Sequence, residues 1–120
     1  MRVLVFGGRD YKDREAVYAA LDQVASRKGM SMLIHGGANG ADSLASQWSK
    51  ARRIPETVFP ANWQYGKSAG PYRNQRMIDE GKPDAAVGFP GGRGTKDMAQ
   101  RLKNAGISCW WPIKNSCPID

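Results

Sequence analysis

Three short stretches carry the residue types that hold anions: Gly7-Gly8-Arg9-Asp10, His35-Gly36-Gly37-Ala38-Asn39-Gly40-Ala41-Asp42 and Phe89-Pro90-Gly91-Gly92-Arg93-Gly94-Thr95. Glycine lets a backbone come close to a ligand, and the amides at the start of a following helix point at an anion with the helix dipole behind them. Phosphate is the natural guest. In the first stretch Arg9 offers a guanidinium that can grip phosphate bidentately, and Asp10 a carboxylate that accepts from ribose hydroxyls or a base edge. In the third, Gly91, Gly92 and Gly94 permit a backbone nest behind Pro90. There Thr95 is expected to cap the next helix and offer its hydroxyl, and Arg93 adds charge.

The second stretch reads two ways. Asn39 and Asp42 have the spacing of a capping box, with Asp in the place of Glu or Gln, and an acid in the first turn suits the helix dipole. The other role for Asp42 is a ribose or base contact, because a carboxylate repels phosphate and accepts from hydroxyls. His35, the sole histidine, is either a ligand contact or general acid, or a hydrogen-bonded residue at a strand end. Neither GxGxxG nor GxxxxGK[ST] occurs, so the common dinucleotide and P-loop readings lose support. Any one glycine pair can simply turn the chain, but three in equivalent places point to a site.

Those places are set by alternating strands and helices. Arg2 to Phe6 is a β-branched and aromatic run, and Val17, Ala20, Leu21 and Val24 then fall at helical spacing. Ser31 to His35 and Ala41, Leu44, Ala45 and Trp48 repeat the unit. Thr57 to Phe59 reads as a third strand, followed by a long polar and aromatic connection, Pro60 to Pro71, of the length of a binding loop, and a helix from Tyr72 to about Glu80. Asp84 to Phe89, a helix over Lys96 to Ala105 with Met98, Leu102 and Ala105 inward, and Ile107 to Trp110 complete the series. Such alternation implies right-handed crossovers. The expected fold is α/β: a single Rossmann-like domain over residues 1–111, with a mostly parallel sheet of five or slightly more strands, helices on both faces, and a tail over 112–120. Ligands of such sheets sit beyond the strand carboxyl ends, where the strand order reverses, so the three glycine turns are expected to converge.

Composition narrows the function classes. The 120 residues, 41% hydrophobic, suffice for one core without metal or disulfide staples. The longest early apolar run, Val3 to Phe6, is too short for a signal-peptide core or a membrane span, which leads to the expectation of a cytoplasmic protein without membrane contact. Cys109 and Cys117 lack nearby histidine partners, so no metal site, cofactor or disulfide is expected. The net charge of +7 suits a nucleotide or nucleic-acid partner without defining a site. Arg27, Lys28, Lys50, Arg52 and Arg53 fall near helix C-termini, where cations are favourable without a ligand. Arg9, Lys67, Arg73, Arg76, Arg93 and Lys96 fall at the expected site edge, and Trp63 and Tyr65 in the long connection are suited to stacking a base.

Pro90-Gly91-Gly92-Arg93-Gly94-Thr95 matches the PGGxGT motif of the SLOG superfamily, which includes the LONELY GUY phosphoribohydrolases and the DprA DNA-processing proteins. With Gly7-Gly8-Arg9, His35-Gly36-Gly37-Ala38, Gly40-Ala41-Asp42, Phe59-Pro60-Ala61, Trp63, Gly70-Pro71 and Arg73-Asn74, the chain resembles the YspA-like branch over roughly residues 2 to 111. The resemblance implies a Rossmann-like sheet that binds nucleotides or molecules derived from them, in a branch found in phages and bacteria. It also implies pairing through helices that flank the site, hence a homodimer or higher homo-oligomer.

The LONELY GUY enzymes cleave the N-glycosidic bond of nucleoside 5′-monophosphates with an arginine and the glutamate of PGGxGTxxE. The arginine position resembles Arg73, but the glutamate position is Met98. Asp97 stands one residue earlier, rotated by about 100° around a helix. Arg73 and Asp97 are therefore the catalytic candidates if the chain cuts. Loss of a positioned acid or base, which supplies about 100- to 10,000-fold in rate, favours a binder of a nucleotide-derived small molecule. A phosphoribohydrolase is the first alternative, and DprA-like binding of single-stranded nucleic acid the second.

Overall fold

Strand β1 (Arg2–Phe6) is buried on both faces, and its alternation divides the core: Val3 and Val5 enter one hydrophobic cluster, Leu4 and Phe6 the other. The computed structural model describes residues 1–119, so Asp120, the last residue of the expected tail, lies outside the described residues. Around β1 the chain runs α1 (Arg14–Lys28), β2 (Met32–His35), α2 (Ala41–Arg52), β3 (Glu56–Val58), a 3₁₀ segment (Trp63–Ser68), α3 (Ala69–Asp79), β4 (Ala85–Gly88), α4 (Arg93–Asn104) and β5 (Cys109–Trp110). The five strands pair in the order β3-β2-β1-β4-β5, and every pairing is parallel.

This order reverses direction once, between β1 and β4. The chain first moves outward through β2 to β3, which puts α1 and α2 on one face, then crosses back to β4, which puts α3 and α4 on the other. Val17, Leu21, Trp48 and Phe89 fill the first face, and Met77, Ile78, Met98 and Leu102 the second. Ile113 packs against the first cluster, Trp111 and Ile119 against the second. No helix among the described residues is long and apolar enough to cross a membrane.

Several local expectations are corrected. Helix α3 starts at Ala69 rather than Tyr72, because Pro71 lies in its first turn, where its missing N–H costs nothing. The connection before it is partly ordered, with the carboxamide Oδ1 of Asn62 accepting from the Gln64 amide at 3.1 Å. Helix α4 begins at Arg93 with Gly92 as its N-cap, so Thr95 is a buried residue of the first turn and not the cap. Ala105 lies past the end of α4 and is exposed, and Ala99 takes the inward position beside Met98 and Leu102. Helix α2 has Gly40 as N-cap without any side-chain cap, so Asn39 and Asp42 form no capping box.

The two helices of the first face are also tied by polar bonds. Trp48, fully buried, donates its indole N–H to Asp22 at 2.8 Å, and the Arg52 guanidinium grips the same carboxylate at 2.8 and 2.9 Å. Replacing Asp22 by Ala leaves the buried indole N–H without an acceptor, which costs about 1–3 kcal/mol. We expect D22A to lower the urea midpoint with an unchanged slope.

Candidate functional site

The glycine turns after β1, β2 and β4 meet at the reversal of the sheet. The Gly8 amide donates to the Pro90 carbonyl at 2.9 Å, and the Gly8 carbonyl accepts from Ala41 at 3.1 Å. Gly40 has φ +75°, and a Cβ there would strike the carbonyl of Gly8 and the backbone of Arg9. Gly91 is pressed as closely on Gly8, a Cβ there lying 2.6 Å from its amide nitrogen. Gly40, Pro90 and Gly91 therefore shape the site from behind and line no cavity.

In front of them opens a cavity of ≈ 610 Å³. Its β1 side is Gly7, Gly8, Arg9 and Asp10, and its α4 side is Gly92, Arg93, Gly94, Thr95 and Asp97. Ala38 and Asp42 close the α2 side, while Arg73, Asn74, Lys67 and the Trp63 ring come from the long connection and α3. Phe6, Met77 and Met98 give it an apolar floor. A second hollow of ≈ 240 Å³ adjoins it and includes Gly36 and Gly37.

The two helix starts facing the cavity differ in charge. The carboxylate of Asp42, buried in the first turn of α2, accepts from the amides of Gly36 at 3.1 Å and Ala38 at 3.2 Å. Burial pushes this carboxyl up from the ordinary carboxylate range, against the Ala38 amide, His35, Arg73 and the Gly36 amide. The α2 end is thus closed by the protein's own acid. The first turn of α4 has no acid, and its N-cap makes no side-chain bond.

Arg73 and Asn74 hold the opposite wall. Arg73 donates through Nη1 to the Gly36 carbonyl at 2.7 Å and through Nε to Asn74 Oδ1 at 3.1 Å. Burial weakens the guanidinium's hold on its proton, Asp42 strengthens it and Arg9 weakens it, yet an arginine stays cationic at neutral pH. Asn74 then donates to Asp97 Oδ2 at 3.0 Å and to the Gly94 carbonyl at 3.3 Å. Asp97 also receives Arg101 at 2.8 Å.

His35, a candidate ligand contact, is buried at the end of β2. It is 3% exposed and lines neither hollow. Its Nδ1 accepts from the Gly37 amide at 3.0 Å, which leaves the proton on Nε2 to donate to Glu56 at 3.0 Å. Arg76 also leaves the site, turning to Glu80 at 2.7 Å, and Lys96 and Tyr65 line neither hollow. Sequence reasoning passed over Met77 and Phe6, which line the cavity, and Glu56, which lay one residue outside the expected third strand but begins β3.

Residues 1–66 match the YspA, cpYpsA-related SLOG family. The Gene 61 protein of Mycobacterium phage D29 is 36% identical over 115 residues, covering 88% of this chain and 91% of the phage protein. The chain belongs to the YspA, cpYpsA-related SLOG family. The fold of this SLOG chain is also similar to the crystal structure of UDP-N-acetylglucosamine 2-epimerase, with a TM-score of 0.54 at 15% identity over 92% of the chain. The chain spans 32% of that structure's length, and the likeness concerns the fold alone.

The brace behind the second loop of this SLOG chain is pH-sensitive in one direction. Burial would raise the Glu56 carboxyl, but hydrogen bonds from His35, Ser46 and Ser49 outweigh it and hold the group below its usual value of 4.5. Because the folded-state value is lowered, the stabilisation is present above about 4.5 and is lost as pH falls through the lower folded value. Urea unfolding at neutral and acidic pH is expected to show a smaller acid loss in E56Q than in the unaltered protein.

Proposed function

We propose that this chain binds a nucleotide or a nucleotide-derived molecule, signalling, cyclic and NAD-related forms included, and serves as a sensor or sponge for it. The observation that carries this reading is the start of α4. Its first-turn amides have neither cap nor acid, and they open into the cavity at the β1/β4 reversal, where α/β sheets hold their ligands. Arg9, Arg93, Arg73 and Lys67 line the same cavity and match a phosphate. Asp10 and Asp42 line the cavity too, as acceptors for ribose hydroxyls or a base edge, and the half-exposed Trp63 ring offers a stacking face. Family membership supports the same class of ligand.

Cleavage has less support. Met98, at the position of the LONELY GUY glutamate, is buried in the apolar floor, and Asp97 is engaged by Arg101 and Asn74.

Gly94 gives a test that separates binding from folding, since a Cβ there meets nothing within 4 Å. G94D places an acid in the first turn of α4, which favours the helix by roughly 0.5–1 kcal/mol while occupying the place of a ligand phosphate. We expect the melting temperature to hold or rise and affinity for nucleotides to fall about tenfold or more, a loss of roughly 1.4 kcal/mol, in titration calorimetry. Unchanged affinity would place the phosphate elsewhere.

A further inference from the structure

The two hollows share Arg9, Ala38, Trp63 and Arg73, so they are chambers of one site with two guanidinium groups at the boundary. Arg9 lies over the Trp63 ring, 4.8 Å from its centroid. Stacking uses the face of a guanidinium and leaves its edge donors available. Arg73 engages Gly36, Phe59 and Asn74 through Nη1 and Nε, and its Nη2 has no protein partner among the described residues. Two cations held side by side, with no carboxylate in the lining of the smaller chamber, make the boundary a place for a second anion.

The smaller chamber differs in chemistry from the larger. The amides of Gly36, Gly37 and Ala38 are turned away to Asp42 and His35, so the loop offers no phosphate nest there. What remains is the Asn39 carboxamide with Pro60 and Ala61, a lining for an uncharged polar group with an apolar side. At ≈ 240 Å³ the chamber is below the roughly 300 Å³ at which small-molecule sites begin, and suits an extension of a ligand seated next door.

Building on the nucleotide reading above, we infer that the ligand carries two linked anionic groups and reaches into the smaller chamber, as a nucleoside 5′-diphosphate with a sugar-like substituent on its second phosphate would. The first phosphate lies at the start of α4, the second between Arg9 and Arg73, and the substituent against Asn39, Pro60 and Ala61.

The test is titration calorimetry with the four nucleoside 5′-monophosphates beside ADP-ribose, GDP-mannose, CDP-glucose and UDP-glucose, each sharing a base with one monophosphate. For the base that the site accepts, the linked molecule is expected to bind at least tenfold more tightly. A61F, which fills the smaller chamber, is expected to remove most of that advantage while leaving monophosphate affinity within about twofold. Should A61F fail to fold by circular dichroism, N39F fills the chamber from the other side. Equal affinities of linked and unlinked ligands, or an advantage that survives the filled chamber, overturn the two-chamber inference and leave the nucleotide reading standing. If none of the eight compounds binds, the inference fails, and the nucleotide reading is left to its cyclic and NAD-type forms.

Discussion

The site depends on one crowded contact between backbones. Gly8 donates to Pro90, accepts from Ala41 and also accepts from Tyr11 at 3.2 Å, so one residue fixes the turns that lead into three different helices. A Cβ at Gly8 would lie 2.7 Å from the Pro90 carbonyl, too close for any side chain without displacement of the turn. Main chain packed directly on main chain removes side-chain freedom from the back wall of the cavity. The parallel register of β1 with β4, Phe6 opposite Gly88, brings the two turns level, and the glycines let them close. Shape at the reversal point is therefore a property of the sheet rather than of mobile loops.

With that wall fixed, charge distinguishes its two ends. Asp42 closes the α2 end with the amides of Gly36 and Ala38, and the α4 end carries neither an acid in its first turn nor a side-chain cap. Opposite, the sequence of bonds from Gly36 through Arg73, Asn74 and Asp97 to Arg101 crosses from the second glycine loop to α4. Arg101 continues it to Gln75 at 3.0 Å. A ligand meeting groups already held by such a network has less side-chain ordering to impose on binding, which is how a modest number of contacts yields useful affinity.

The sequence made the sheet legible because apolar period and glycine position report the same thing. The central strands β1, β2 and β4 are runs buried along most of their length, β1 and β2 each end where a glycine pair begins, and the pair after β4 follows within three residues. What escaped was decided by competition between neighbours far apart in the chain. The Asn39/Asp42 spacing suits a cap, but Asp42 finds the amides of Gly36 and Ala38, bonds that exist only once the loop folds back over α2. His35 has the look of a ligand contact, but Glu56, 21 residues on, accepts a hydrogen bond from its Nε2. Arg76 carries the same charge as Arg73 at the next helical turn, yet a Glu80 four residues later draws it to the surface. The smaller chamber had no signature, since Pro60 and Ala61 bear no chemistry until Gly37 and Arg9 stand beside them.

The same network bears on whether the site can cut a bound nucleotide. A base that activates water needs an oxygen lone pair directed at the reacting atoms. Asp97 Oδ2 already receives both the Arg101 Nε at 2.8 Å, from its own helix, and the Asn74 amide at 3.0 Å, which ties α3 to α4. Turning Oδ2 toward a reacting atom would break both bonds and loosen the wall that positions Arg73, whereas Oδ1 accepts no hydrogen bond among the described residues. At the next position, the Met98 side chain lies among Leu4, Phe6 and Met77, where a carboxylate would face apolar neighbours and lose its hydration. The network that holds Arg73 in the cavity wall thus also engages Asp97 through one oxygen, while apolar packing disfavours a carboxylate at position 98.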